Sequence, residues 1–215
     1  MTLLKIFYFL LWIAKSNFGY NPAFNLIRNF MKIEFITSNQ HKFEEAKHIL
    51  SDWELEQVNI DLTEIQGTRF EIMKAKAKEA LRILKRPLLV EDVSLCCSAL
   101  GGLPGPYIKD FLRSIGNDGL YELIHKYADH SVQAICVVSY IKPGLEPILF
   151  EGIVEGTIVA PRGKTRNETY SWSPIVQPLG SNKTYGEMSI EEQSKCSMRY
   201  VALTKLKHFL ETEID

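Results

Sequence analysis

Glu91 and Asp92 are the residues of this chain best suited to chemistry. They follow the short apolar run Leu88–Val90, which reads as a buried strand. Open α/β sheets bind ligands beyond the carboxyl ends of their strands, and two acids at such an end suit a hard cation better than packing. Beyond them lie a glycine–proline cluster over residues 101–106 and a segment with Tyr107 and Lys109. The cluster reads as a tight turn, or as a place where backbone closely approaches a ligand.

Three further constellations accompany the acid pair. Thr37, Ser38, Asn39 and Lys42 fall between a strand and a helix. Free amides and the dipole of a helix N-terminus favour phosphate there, with Lys42 adding a point charge; the competing reading is an ordinary N-cap. Glu64 lies in a loop just before a lysine-bearing helix, where it is either a solvated acid or a carboxylate for magnesium beside substrate phosphates. A triphosphate carries about four negative charges, so Lys42, Lys76 and Lys109 together suit one better than any does singly. Tyr170, Ser171, Trp172 and Ser173 form an aromatic loop, with Arg199 downstream. Aromatics can stack on a base and Arg can bond its edge, although an aromatic core residue beside a turn is the simpler reading. The five histidines show no metal-ligand or triad spacing.

The elements that must position these groups alternate after Met31. A strand over Lys32–Thr37 precedes a helix over His41–Ser51. A second helix over Phe70–Leu84 buries Phe70, Met73, Ala77, Ala80, Leu81 and Leu84, with Lys74, Lys76 and Lys78 opposite. Helices are expected at Tyr107–Ile115 and Leu120–Tyr127, separated by a turn at Asn117–Gly119. Val132–Ile141 and Ile148–Val154 read as a hairpin, with a further strand at Thr157–Val159. Ser189–Glu192 fits a capping box, followed by a C-terminal helix carrying Val201, Ala202, Leu206, Phe209 and Leu210. The expectation is one α/β unit over residues 31–212 with an elongated mixed sheet.

Composition agrees with that class. The chain has 215 residues, 46% of them hydrophobic, and a net charge of -1, which lacks the basic excess of bulk nucleic-acid binders. Four cysteines without CxxC spacing suit neither a disulfide framework nor a zinc site, so free thiols in a reducing compartment are expected. Ile6–Ala14 is apolar but shorter than the ~20 residues that span a bilayer. No small-residue cleavage site follows it, so residues 1–30 are expected outside the fold, as an appended segment or an upstream mis-start.

Taken together, these segments resemble the inosine triphosphate pyrophosphatase (Ham1-like) family. The resemblance rests on ITSNQHKFEEAKHIL at 36–50, IDLTEIQG at 60–67 and LLVEDVSLCCSALGGLPGPYIKDFL at 88–112, and continues in EGTIVAPRG at 155–163 and TYGEMSIEEQSKCSMRYVALTKLKHFL at 184–210. It implies a two-lobed α/β fold with a central cleft. The implied activity is magnesium-dependent hydrolysis of ITP, dITP or XTP to monophosphate and pyrophosphate by a cytoplasmic homodimer, with no nucleic-acid or membrane partner. It implies further that Thr37–Lys42 bind phosphate, that Glu64 and Asp92 hold the metal, and that Lys76 and Lys109 contact substrate. Asp92 or its neighbour Glu91 would help activate water. The departures lie at the base end. The family's Phe-Gly-Trp-Asp is Tyr170–Ser173 here, its Ser-His-Arg is Ser197–Arg199, and a lysine is replaced by Gln193. The alternative reading is a nucleotide-binding protein of this fold with altered base selectivity and little catalysis.

Overall fold

The structure, a computed structural model, describes residues 32–164 and 171–212; the expected extension over residues 1–30 lies outside the described residues. Among the described residues, seven strands form one mixed sheet. They are β1 (Lys32–Ile36), β2 (Glu54–Val58), β3 (Leu88–Cys97), β4 (Pro104–Gly105), β5 (Ser131–Ile141), β6 (Ile148–Ile158) and β7 (Val176–Pro178). The spatial order is β2-β1-β3-β5-β6-β7, with β4 added to β3; β1 is parallel to β2 and β3, and the other pairings are antiparallel. The helices are α1 (Gln40–Ile49), α2 (Arg69–Leu84), α3 (Ile108–His125), α4 (Ile190–Cys196) and α5 (Met198–Thr212).

Side chains of a strand alternate between faces, and β3 and β5 show it. Leu89, Leu95 and Cys97 of β3, with Val132, Ala134, Cys136, Val138 and Tyr140 of β5, join the core formed with α1, α3 and α5. Leu88 and Val90, with Ile135, Val137 and Ile141, join the smaller core under α2. The sheet is thus a middle layer with unequal apolar cores on its two faces.

β3 is the strand on which the sheet divides. One edge pairs with β5 along its whole length, from Leu88 opposite Ile141 to Cys97 opposite Val132. The other edge pairs with β1 only through Val90 and with β4 only from Leu95. Among the described residues, no strand therefore lies beside 91–94 on that edge. Glu91 and Asp92 are consequently in mid-strand rather than at a strand end, because pairing with β5 continues past them. They still open onto a gap, since β1 stops level with Val90.

Other elements also depart from expectation. In α2 the buried stripe is Ile72, Met73, Lys76, Ala77 and Ala80. Phe70 lies about a quarter turn from its centre and is 37% exposed, with the Arg69 guanidinium 4.6 Å from its ring centroid. Lys76 is inside the stripe, not opposite it. The two expected helices at Tyr107–Tyr127 form one span, broken by Gly116 at φ 66° rather than by the turn at Asn117–Gly119. Paired with a ψ of -175°, such a φ is open without strain only to glycine. Thr157–Val159 is no separate strand, since β6 runs through Ile158. The Ser189–Glu192 capping box forms as expected, but it opens the short α4, and Ser197 separates α4 from α5.

The C-terminal helix lies directly on the sheet at Gly152 of β6. A Cβ there would sit 1.9 Å from the Met198 carbonyl oxygen and 2.6 Å from the Ala202 nitrogen, both backbone atoms that cannot swing aside. Gly152→Ala is expected to cost at least about 2 kcal/mol of stability by overpacking. Chemical denaturation checks it: the midpoint should fall while the m-value holds.

Candidate active site

Because Glu91 and Asp92 are adjacent on β3, they point to opposite faces of the sheet. Each meets a different helix layer. On the α1/α5 face the Glu91 carboxylate receives Arg199 through Nε at 2.5 Å and Nη2 at 3.1 Å, and the Lys42 ammonium at 3.0 Å. Arg199 turns its Nη1 to Glu45 at 2.5 Å, and the Ser197 hydroxyl donates to the other Glu45 oxygen at 2.6 Å. Ser197 also accepts from the Tyr200 amide at 3.0 Å, which stops one helix and starts the next so that Arg199 falls in the first turn of α5. Glu45, Glu91 and Arg199 are each buried. Two carboxylates and two cations balance, as buried charges must. Burial alone would raise the Glu91 carboxyl, but Arg199 and Lys42 outweigh it and bring it down to about 2.

On the α2 face, Lys76 lies between two acids. Its ammonium is 2.9 Å from Glu64 Oε1 and 2.9 Å from Asp92 Oδ2. Burial pulls the ammonium down, yet the two acids leave its pKa raised. The hydrogen bond from Lys76, with the more distant charges of Lys109 and Arg113, holds Glu64 below the usual carboxylate range. The other Asp92 oxygen accepts from the Val93 amide at 2.9 Å, which satisfies part of the strand edge left open by the gap. The loop carrying Glu64 is tied at both ends. Thr63 donates its amide and hydroxyl to Glu79 at 2.9 and 3.1 Å, and the Gly67 amide donates to the Tyr107 hydroxyl at 3.0 Å.

A cleft of about 1360 Å³ opens at the gap in the sheet. Thr37, Ser38, Asn39 and Lys42 border it from the turn after β1, Lys76 from α2, Lys109 from α3, and Glu64, Glu91 and Asp92 complete its charged lining. The turn is pre-ordered: Asn39 donates its amide to Thr37 Oγ1, and its side chain caps α1 by accepting from the Lys42 amide, both at 3.1 Å. The N-cap and a phosphate-facing turn are therefore compatible in one segment. Beside the cleft is a smaller hollow of about 70 Å³, where Ser171, Trp172, Ser173, Gln193, Met198 and Arg199 meet. Trp172 stands edge-on to Tyr185 with ring centroids 5.7 Å apart. The Ser171 and Ser173 hydroxyls pair at 2.8 Å, and the Gln193 amide donates to the Tyr185 carbonyl. Tyr170 lies outside the described residues.

Glu45 is the site residue that sequence reasoning missed. Its signal was an acid on the buried stripe of α1, between Phe43, Ala46 and Ile49, where an unpaired carboxylate is not tolerated. Among the described residues no group of three His, Cys, Asp or Glu side chains forms a metal cage. Glu64 and Asp92 nonetheless aim oxygens at one cationic point, now filled by Lys76. That donor set fits magnesium, which commonly takes one or two carboxylates and completes its shell with substrate phosphate and water.

The pattern of the Ham1 family matches residues 33–209. The inosine triphosphate pyrophosphatase of Schizosaccharomyces pombe is 46% identical over 183 residues, covering 84% of this chain and 96% of that protein. Among solved structures, a HAM1 protein from Coxiella burnetii superposes with TM-score 0.73 at 25% identity, covering 86% of this chain and 100% of its own. The Staphylococcus aureus Ham1 protein gives 0.72 at 26%, covering 85% and 99%.

The Glu91 carboxyl has a sign that can be tested. Its folded pKa of about 2 lies below the 4.5 of an ordinary glutamate, so its contribution to stability is complete above 4.5 and is lost as pH falls through 2. Glu91→Gln is expected to cost about 3–5 kcal/mol at neutral pH, because Arg199 and Lys42 lose their shared partner. Denaturant midpoints measured from neutral to strongly acid pH should show the gap between wild type and variant closing below 4.5.

Proposed function

The chain belongs to the Ham1 family, and from that membership and the geometry of its cleft we propose that it is a nucleoside triphosphate pyrophosphatase. Its substrates in this reading are deaminated purine nucleotides such as ITP, dITP and XTP, cleaved to monophosphate and pyrophosphate. The observation that carries the reading is the Glu64–Lys76–Asp92 arrangement facing the capped turn Thr37–Lys42 across an open gap in the sheet. One side of the cleft offers amides and cations for a polyphosphate, and the other offers hard carboxylate oxygens.

In this reading the triphosphate takes the N-terminal turn of α1, with Ser38 and Asn39 beside it and Lys42, Lys76 and Lys109 around its charge. Glu64 and Asp92 would hold magnesium, whose charge would neutralise the phosphates and polarise the phosphorus centre. Lys76 is the group that exchanges partners. Free of substrate it holds Glu64 and Asp92 together; with a phosphate chain present its ammonium turns to phosphate oxygens and releases Asp92 Oδ2. Asp92 takes the proton of the attacking water, the new bond forms at the α-phosphorus, and the bond to the bridging oxygen breaks to release pyrophosphate. Glu91 orders the site from the opposite face. The base lies toward the small hollow, stacked near Trp172, with Ser173 and Arg199 at its wall. A homodimer and a cytoplasmic setting, with neither nucleic acid nor membrane as partner, complete the reading.

Asp92→Asn, which keeps the Val93 contact, is expected to lower turnover by ~10²–10⁴-fold while leaving the melting temperature close to wild type. Pyrophosphate release across ITP, XTP, dITP, ATP and GTP, with magnesium and then with a chelator, checks both substrate class and metal. Turnover of no triphosphate with binding retained would favour the non-catalytic alternative, and undiminished turnover in chelator would remove the metal from the scheme.

A further inference from the structure

His41 stands where the two hollows meet. It is the second residue of α1, just after the capped turn, and it borders both the large cleft and the small side hollow. Its Nε2 is shut off from solvent and has no hydrogen-bond partner among the described residues. A polar atom left so costs about 1–3 kcal/mol, and natural proteins keep few of them without a use. The other residues that line both hollows are Lys42, whose ammonium the proposed function gives to the phosphate chain, Val93, which is aliphatic, and Trp172, whose ring it gives to the base.

The structure assigns His41, we propose, to the nucleoside half of the substrate, with Nε2 as hydrogen-bond partner of a polar group on the sugar or base. This rests on the proposed function, which places the phosphate chain in the cleft and the base in the side hollow. The nucleoside must then cross the junction, and it is rich in hydroxyl and ring-nitrogen groups. The phosphate chain has its own cations in Lys42, Lys76 and Lys109, so His41 adds affinity for the nucleoside and little for polyphosphate.

The discriminating experiment is a calorimetric titration of the full chain, with magnesium, by two ligands. One is the α,β-methylene analogue of ITP, which cannot be cleaved at the reacting bond; the other is inorganic tripolyphosphate. His41→Phe removes the nitrogen and keeps a ring, and should weaken the analogue roughly ten-fold while tripolyphosphate stays within about two-fold. His41→Gln, whose amide nitrogen reaches a similar position, should restore most of the analogue's affinity. Should the Phe variant not fold, His41→Leu is titrated in its place. Equal weakening of both ligands, no weakening of either, or no rescue by Gln each overturns the proposal. Because binding is read without cleavage, a wild-type protein that binds the analogue yet hydrolyses no triphosphate counts against the proposed function alone.

Discussion

A single guanidinium, buried and shared between two carboxylates, sets the relative positions of everything around the cleft. Arg199 at the start of α5 holds Glu91 of β3 and Glu45 of α1, and through Glu91 it reaches Lys42. These residues come from three elements, with Glu45 and Arg199 separated by 154 positions in the chain. Because the group is desolvated, removing any member strands the rest, so the network acts as one unit. It fixes the first turn of α1 against the middle of β3, which puts the capped turn of residues 37–42 across the gap from Asp92. Ser197 belongs to the same unit, since one hydroxyl both tethers Glu45 and begins α5.

The adjacent acids of β3 thereby have different physical lives. Glu91 is enclosed among cations on the face with the larger core. Asp92 faces the α2 side, where one oxygen is oriented by the Val93 amide and the other by Lys76. Two like charges on neighbouring residues would repel if they shared a site; on a strand they do not share one. The sheet itself insulates a structural ion network from a more open pair of carboxylates.

Much of this was legible in the residues. The first strand, the lysine-bearing helix, the long hairpin and the capping box carried strong local signals of alternation, periodicity and polar capping. The turn, Glu64, Asp92 and the lysines were each identifiable, and the structure brings them to one cleft. β2 was not, because Glu54–Val58 is a largely polar edge strand with no buried face to give it a pattern. The true length of β3 was hidden by its acids, which look like a terminus until their partners on two opposing helix layers are known. Lys76 read as solvated because periodicity cannot tell a lysine that meets two carboxylates from one that meets water. Gly116 and Gly119 compete as helix breakers by composition; only backbone geometry separates them.

The adjacency of Glu91 and Asp92 also bears on how the chain finds its register. A strand slipped by one residue exchanges its faces, and here such a slip would still present an acid to each side, Asp92 toward Arg199 and Glu91 toward Lys76. Charge matching is therefore nearly blind to this particular error. The burden falls on the ten-residue pairing with β5 and on the unequal apolar cores, which receive Leu89 and Leu95 on one face and Leu88 and Val90 on the other. The ion network fixes α1 and α5 against β3, while the choice of register within the sheet rests on packing.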